Sequence, residues 1–374
     1  MQFYSIHFIL ITYISCAWYS HTIQDEIQRH SDVFYIISGQ FPHHGDAYWK
    51  KLAEKSKAKL NLAANDIQAR NDLAVSHMKL RNYTASLREL KKIEQLSPGR
   101  YETYSNLGVL YKKMRKFSKA VHYTKKALAI KPEGHLGLGD WYLKMLEYKA
   151  KIEKTDSEIQ KNFLGMEYLE DPIPYSLSHD QDHREVQQKL RLLLEADNSF
   201  SDAYIALGDE FFISRRQYLV SLWCYLRAQK LGHPRPDIVK QRIDRTYEIM
   251  KYGANAMFWS YYINDKEVVL NAVSKELKEC EKWLEEFYKV EADLLKKHEN
   301  VDFNMTYREM KKRGIARKKP QNHAIQERLM PYHYILFALI AILLGTKIYK
   351  DLQKEDEFDE NGDKIYRPFR FYLK

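Results

Sequence analysis

Residues 178–185, SHDQDHRE, place two histidines four positions apart, followed and interleaved by aspartates. On one face of a helix His179 and His183 could share a divalent metal with Asp180 or Asp182, the start of a metal-dependent hydrolase. The glutamate that H-E-x-x-H sites keep between their histidines as general base is missing. The tract also follows a proline-containing break, DPIPYSLSHD (171–180), and opens a helix, where aspartate satisfies free N–H groups. A polar helix start therefore explains these residues without a metal. Adjacent His43 and His44 point in different directions from any regular element and make a poor chelate, so a turn before a helix is expected there. The acidic run 355–364, EDEFDENGDK, has a calcium-loop flavour through Glu357, Asp359, Asn361 and Gly362. The bidentate glutamate due eleven residues after the first ligand is Pro368, which defeats an EF-hand. No Walker A loop, dinucleotide fingerprint, G-x-S-x-G elbow or C-x-x-C pair occurs. The expectation is a protein that is not an enzyme and holds no cofactor or metal.

Other spacings serve packing. Counted from Tyr101, residues Tyr104, Leu107, Gly108 and Tyr111 fall at positions 4, 7, 8 and 11 of a 34-residue unit, and Phe117, Ala120, Ala127 and Pro132 at 17, 20, 27 and 32. This is the tetratricopeptide (TPR) pattern of two antiparallel helices. Small Gly108 and Ala120 let backbones approach, Leu107 and Tyr111 fill the groove, and Pro132 ends the second helix. Position 24, usually aromatic, is Thr124, with Tyr123 beside it to compensate. Thirty-four residues earlier, Leu73, Ala74, Tyr83, Ser86, Leu90, Ile93 and Pro98 keep the same register. A further unit starts at Ser201 with Tyr204, Leu207, Gly208 and Phe211. After one inserted residue it continues with Ser221, Tyr225 and Ala228. The repeats read as 67–100, 101–134 and 201–235, with a divergent stretch over 135–200. In that stretch His135–Lys151 reads as a first helix and His183–Asn198 as a second.

Length and composition agree with this. A chain of 374 residues with 14 Gly and 10 Pro suits helices better than turn-rich sheets. Its net charge of +10 is concentrated: from Arg308 to Arg328 there are eight Lys and Arg against two Glu. Near a membrane such a tract suits a solvated stalk or a grip on anionic lipid head groups. It has few aromatics to stack on bases, so nucleic acid is not expected as a partner. Cys16, Cys224 and Cys280 have neither disulfide-framework nor zinc spacing; the latter two, within helical patterns, read as buried thiols. Residues 1–17 read as a signal peptide, with Ser15-Cys16-Ala17 as small residues for cleavage. An uncleaved anchor and a lipid-bearing Cys16 are the alternatives. Residues 332–349, YHYILFALIAILLGTKIY, carry no charge before Lys347 and are flanked by Tyr332, Tyr334 and Tyr349, as a transmembrane helix requires. A mixed-charge tail, 350–374, follows. Export would put the body outside the cytoplasm. The basic tract on the body side of the span argues for the reverse, a cytoplasm-facing body.

The region from about Ser38 to Pro234 resembles an uncharacterised group of bacterial TPR proteins. The likeness rests on Gly39-Gln40-Phe41-Pro42-His43, on EGHLGLGDWYLKMLEYKAK after the second repeat, and on an ALGD-type helix ending in LGHP. It implies an exported, envelope-associated protein with no enzyme assignment. The expected architecture is all-α. A TPR solenoid over 36–250 is followed by a charged helical extension over 251–330 that contains the basic tract 308–328, and then by one transmembrane helix. In the extension Val273, Leu277, Cys280, Leu284 and Phe287 form a narrow apolar seam, suited to capping the solenoid or pairing with another helix. A scaffold would hold a protein or peptide in the groove lined by first helices, where Asn106, Lys113, Tyr142 and Glu210 are candidate contacts. Asn106 sits where TPR domains that clamp a peptide carboxylate keep an asparagine. The flanking first helices carry Ala74, Val75, Gly137 and Asp140 instead of the clamp's other residues, so that clamp is not expected.

Overall fold

The computed structural model describes residues 33–153, 159–168, 183–215, 218–252 and 266–317. The chain divides into two units, 1–318 and 319–374, and the described residues all lie in the first. The signal segment 1–17, the apolar stretch 332–349, most of the tract 308–328, Cys16 and His179 fall outside the described residues. Among the described residues no helix is long and apolar enough to cross a membrane.

The regular secondary structure of the described residues is helical, apart from one isolated β-bridge between Lys161 and Glu167. In order they form α1 (Val33–Ile37), α2 (Asp46–Leu62), α3 (Ile67–Lys79), α4 (Tyr83–Leu96), α5 (Tyr101–Lys113), α6 (Phe117–Ile130), α7 (Gly139–Ile152), α8 (His183–Ala196), α9 (Ser201–Arg215), α10 (Tyr218–Lys230), α11 (Pro236–Tyr252), α12 (Lys266–Lys297) and α13 (Phe303–Lys312). Each helix from α2 to α7 packs on the next, as do α8 to α11, and α3 also touches α5. This neighbour-on-neighbour packing is that of a solenoid.

Local sequence explains the hairpins. Asp66 caps α3 by accepting from the Ala69 amide at 3.0 Å, and Asn82 caps α4 through the Ala85 amide at 3.4 Å. Each cap contributes about 1 kcal/mol. Leu73, Leu90, Ile93, Leu107, Leu110 and Ala120 are buried between helices. Full burial of each larger side chain contributes about 1.5–3 kcal/mol. Gly108 is needed where it stands: a β-carbon there would lie 2.6 Å from Thr124 Oγ1. The missing aromatic at 124 is made good by Tyr123, whose ring stacks on Tyr111 at 5.4 Å.

The divergent stretch is built differently. After α6 a short helical turn, His135–Gly137, leads into α7. The segment 159–168 is pinned to α9 by Asp202, which is fully buried. Asp202 accepts from the Phe163 amide at 2.7 Å, from the Tyr148 hydroxyl at 3.3 Å and from the Tyr168 hydroxyl, and His233 Nε2 lies 2.9 Å away. Burial and the Asp202 charge push the Tyr148 and Tyr168 phenols up. Deeper in, Asp209 accepts from Arg242 Nε at 2.9 Å and from the Tyr225 hydroxyl at 2.7 Å.

α12 runs back across the solenoid and packs on α2, α10 and α13. Its seam residues Val273, Leu277, Cys280 and Phe287 are buried, and Leu284 packs against the Phe287 cluster. Cys224 and Cys280 are buried free thiols. On α12, Glu281 takes ion pairs from Arg227 at 2.9 Å and Lys230 at 2.5 Å on α10, while Leu295 O accepts from Lys51 of α2 at 2.8 Å. One helix thus ties an early helix to a late one.

Candidate interaction surface

A repeat of helical hairpins offers one extended surface made by its first helices, here α3, α5, α7 and α9. The 34-residue period sets residues of α3 and α5 side by side: Asn71 with Ser105, Val75 with Val109, and Lys79 with Lys113. Asn106 Nδ2 donates to Asn71 Oδ1 across the two helices at 2.8 Å.

This inner face is already covered. Ile36, Ile37, Ser38, Gln40, Phe41 and His44 are all buried, and Ile36, Ile37 and Phe41 share one continuous core with Val75, Met78 and Val109. α1 touches α8 and α10. Gly39 is in the left-handed region at φ 77°, where a side chain is strained, and a β-carbon there would press on Arg227 Nη2 at 3.2 Å. Gln40 donates to Cys280 Sγ at 3.1 Å, and its carbonyl accepts from Arg317. Arg317 lies 3.6 Å above the Tyr35 ring and 5.3 Å from Trp283. His43 bonds to the Glu195 carbonyl and faces Lys79 and Lys113. Burial first, then those two ammonium groups, lower its pKa to about 3, so the ring is neutral. His44 bonds Glu291, which also accepts from the Gly45 amide at 2.8 Å. Residues 36–45 therefore reach α3, α5, α8, α10 and α12, and α12–α13 hold them in place.

The four expected contact residues have different surroundings. Asn106 and Tyr142 are fully buried and present nothing to a partner: one bridges two first helices, and the other packs between His135 and the Lys112 ammonium. Glu210 is also buried, bonded to His183 Nδ1 at 3.0 Å, and burial raises its pKa. Lys113 alone of the four is exposed. Each of the three buried groups is held by partners on neighbouring helices or turns, Asn71, His135 with Lys112, and His183. For the covering segment, the GQFPHH motif (39–44), a run of apolar and turn residues before a helix, was the available signal.

His183 sits at the start of α8 with Glu210 as its neighbour; His179, Asp180 and Asp182 lie outside the described residues. Among the described residues no group of three or more His, Cys, Asp or Glu side chains converges as metal ligands do. The His43-His44 pair is split as its adjacency requires, one ring toward Glu195 and the other toward Glu291.

Three further groups are electrostatically set. Asp197 lies between Lys112 and Lys149, 3.0 Å from each. Burial works to raise its pKa, but the two ammonium groups and the Ser199 hydroxyl outweigh this and hold the carboxyl far below the usual range. His135 is buried between Tyr101 and Tyr142, and that burial, with Lys112, lowers its pKa to about 4. Glu195 is raised to about 7 by burial, with Arg191 opposing.

The helix stack, the in-register first helices and the polar bridges between them define a helical-hairpin repeat protein. Residues 101–133 match the tetratricopeptide repeat, so the chain carries that repeat at α5–α6. No curated protein matches the chain.

Proposed function

We propose that this protein is a non-catalytic TPR scaffold that holds a protein partner close to a membrane of the bacterial envelope. The observation that carries the reading is where its buried polar groups go. Asn71–Asn106, Asp197 with Lys112 and Lys149, Asp202–His233 and Asp209–Arg242 bond to one another between helices. They serve packing, as a repeat scaffold requires, rather than converging on an open cleft. The covered inner face directs the partner to the helix edges and turns, or requires it to displace residues 36–45.

The membrane tether rests on sequence. Residues 332–349 are apolar, tyrosine-flanked and long enough to span, and the tract 308–328 next to them suits anionic head groups. With residues 1–17 as a signal, the body lies on the extracytoplasmic side. Protease treatment of intact spheroplasts, with N-terminal sequencing of the mature chain, tests this. A body digested from outside and starting near Trp18 is the expected result. A protected body that retains Met1 or Gln2 would instead make it a cytoplasm-facing scaffold, the arrangement that the position of the basic tract favours.

A further inference from the structure

The turns inside the two regular hairpins share one pattern: Lys79-Leu80-Arg81 after α3 and Lys113-Met114-Arg115 after α5. Arg81 and Arg115 are both in the left-handed region, at φ 64° and 56°. A β-carbon makes that conformation unfavourable, and glycine holds it freely, as Gly99, Gly232 and Gly314 do elsewhere in the chain. The same strained arginine at the same place in consecutive repeats points from conformation to function.

The surroundings are cationic. Arg81, Lys113 and Arg115 are exposed. Arg81 meets Asp46 at 3.3 Å in a pair open to solvent, and Lys113 and Arg115 make no ion pair among the described residues. One repeat further on, Lys149 shares the largely buried Asp197 with Lys112, each at 3.0 Å. Lys113 is exposed yet recessed. The protein around it, and then Lys112, Arg81 and Lys149, lower its pKa, while Asp197 works the other way. A strip with more cations than carboxylates is completed by an added anion.

We propose that this turn edge docks an extended acidic segment of a partner protein, with carboxylates reaching Arg81 at one step and Lys113 and Arg115 at the next. Helices in contact lie about 8–10 Å apart, and an extended chain covers that in about three residues, so acidic residues at i and i+3 fit the strip. The residues differ from those of a carboxylate clamp, whose asparagine position, Asn106, is buried here. The proposal rests on the scaffold reading and gives it a partner chemistry.

The test is fluorescence anisotropy of a labelled peptide with glutamate at every third position in a Gly-Ser background, titrated with the full-length protein. A control peptide carries the same glutamates in one block. The expected result is tighter binding of the spaced peptide, falling with salt, and a loss of at least tenfold in the variant Lys113→Glu, Arg115→Glu. A second variant, Arg81→Gly with Arg115→Gly, relieves the backbone. It should melt no lower than the parent and still bind the peptide more weakly. Equal binding by parent and both variants overturns the proposal. So does a charge-reversal variant that loses binding to phosphatidylglycerol vesicles but not to the peptide, which would assign the strip to lipid. A protein that fails these tests yet crosslinks a partner through other faces loses the docking edge alone, and the scaffold reading stands.

Discussion

Between α3 and α5 the buried polar link is neutral, one asparagine amide donating to another at 2.8 Å. Around α9–α11 the corresponding links are charged. Asp209 is held by Arg242 and Tyr225, and Asp202 by His233, Tyr148, Tyr168 and the Phe163 amide. Where the two regular hairpins face each other, small residues and this neutral link in fixed register suffice, and the one close charged pair, Arg70–Glu89 at 2.6 Å, lies within the first hairpin. The later hairpin must also hold an inserted segment and the turn at His233, which bear no repeat relation to it. Directional bonds from a buried carboxylate fix such segments where shape alone would not. A buried charge without its partner is more damaging than a buried amide without one.

The largest expected effect breaks that contrast at Arg242. Arg242→Ala takes the guanidinium from buried Asp209, and loss of about 3–5 kcal/mol is expected. Asn106→Ala leaves Asn71 one bond short and should lose about 1–3 kcal/mol. Urea unfolding midpoints of both variants measure the difference. Asp209→Leu combined with Arg242→Met should recover most of the loss, because the pair then leaves no uncompensated charge. Equal losses at Arg242 and Asn106 would erase the distinction between the two regions.

The second effect sharpens the contrast through pH. His135 and Glu195 lie in the divergent stretch and have opposite signs. His135 is lowered to about 4 by burial from 6.5. Between those values the unfolded chain binds the proton and the folded one does not, so stability rises with pH and is lost as pH falls through that window. Glu195 is raised to about 7 by burial from 4.5. There the folded chain keeps a proton that the unfolded chain has released, so its contribution is present below 4.5 and lost as pH rises toward 7. Near pH 5–6 the two slopes oppose each other. Glu195→Gln should therefore gain on the parent as pH rises from 4.5 to 7, by on the order of 3 kcal/mol. His135→Asn, which suits the left-handed φ of 56° there, should lose the parent's acid sensitivity between pH 6.5 and 4. Melting temperatures across pH 4–8 provide the measurement. Parallel curves for parent and Glu195→Gln would mean that water reaches this carboxyl.

The same contrast explains what could be read from sequence. The hairpins at 67–130 and 201–230 were legible because a 34-residue period with glycine or alanine at positions 8 and 20 has one physical meaning, close helix packing. The apolar seam of α12 was legible as a face to be buried, but its partners were not. Gln40, Arg227 and Lys51 are scattered along the chain, and no local spacing predicts a helix that returns to α2 and α10. The contact set was the weakest reading. First helices normally line a groove, which is the ground for Asn106, Tyr142 and Glu210, but periodicity carries no record of their partners Asn71, His135 and His183. Lys113 remained exposed because it stands at the helix end, at the margin of the segment whose His43 faces it. That helix end is also where the pattern Lys-x-Arg recurs, a repeat within the repeat that sequence shows as plainly as the glycines.

The smallest effect compares those glycines. In α5 a β-carbon at residue 108 would meet Thr124 Oγ1 at 2.6 Å, with the next contacts at 3.5 Å. In α9 a β-carbon at residue 208 would meet the Tyr225 ring at 2.5, 2.9 and 3.0 Å. The threonine oxygen is a single atom without a hydrogen-bond partner among the described residues. The tyrosine ring is held by its hydroxyl on Asp209. Gly108→Ala should therefore lose about 1 kcal/mol, the overpacking cost partly offset by alanine's better helix propensity. Adding Thr124→Ala should return most of that loss, because it removes the clashing atom and the new methyl fills the space. Gly208→Ala should lose more, about 2–3 kcal/mol, and Tyr225→Ala cannot rescue it, since that change strips Asp209 of a donor. Thermal melts of the two double-mutant cycles give the coupling energies: favourable at 108/124, absent or unfavourable at 208/225. Favourable coupling of equal size at both sites would show that the buried charge in the later hairpin imposes no rigidity beyond that of the neutral repeats.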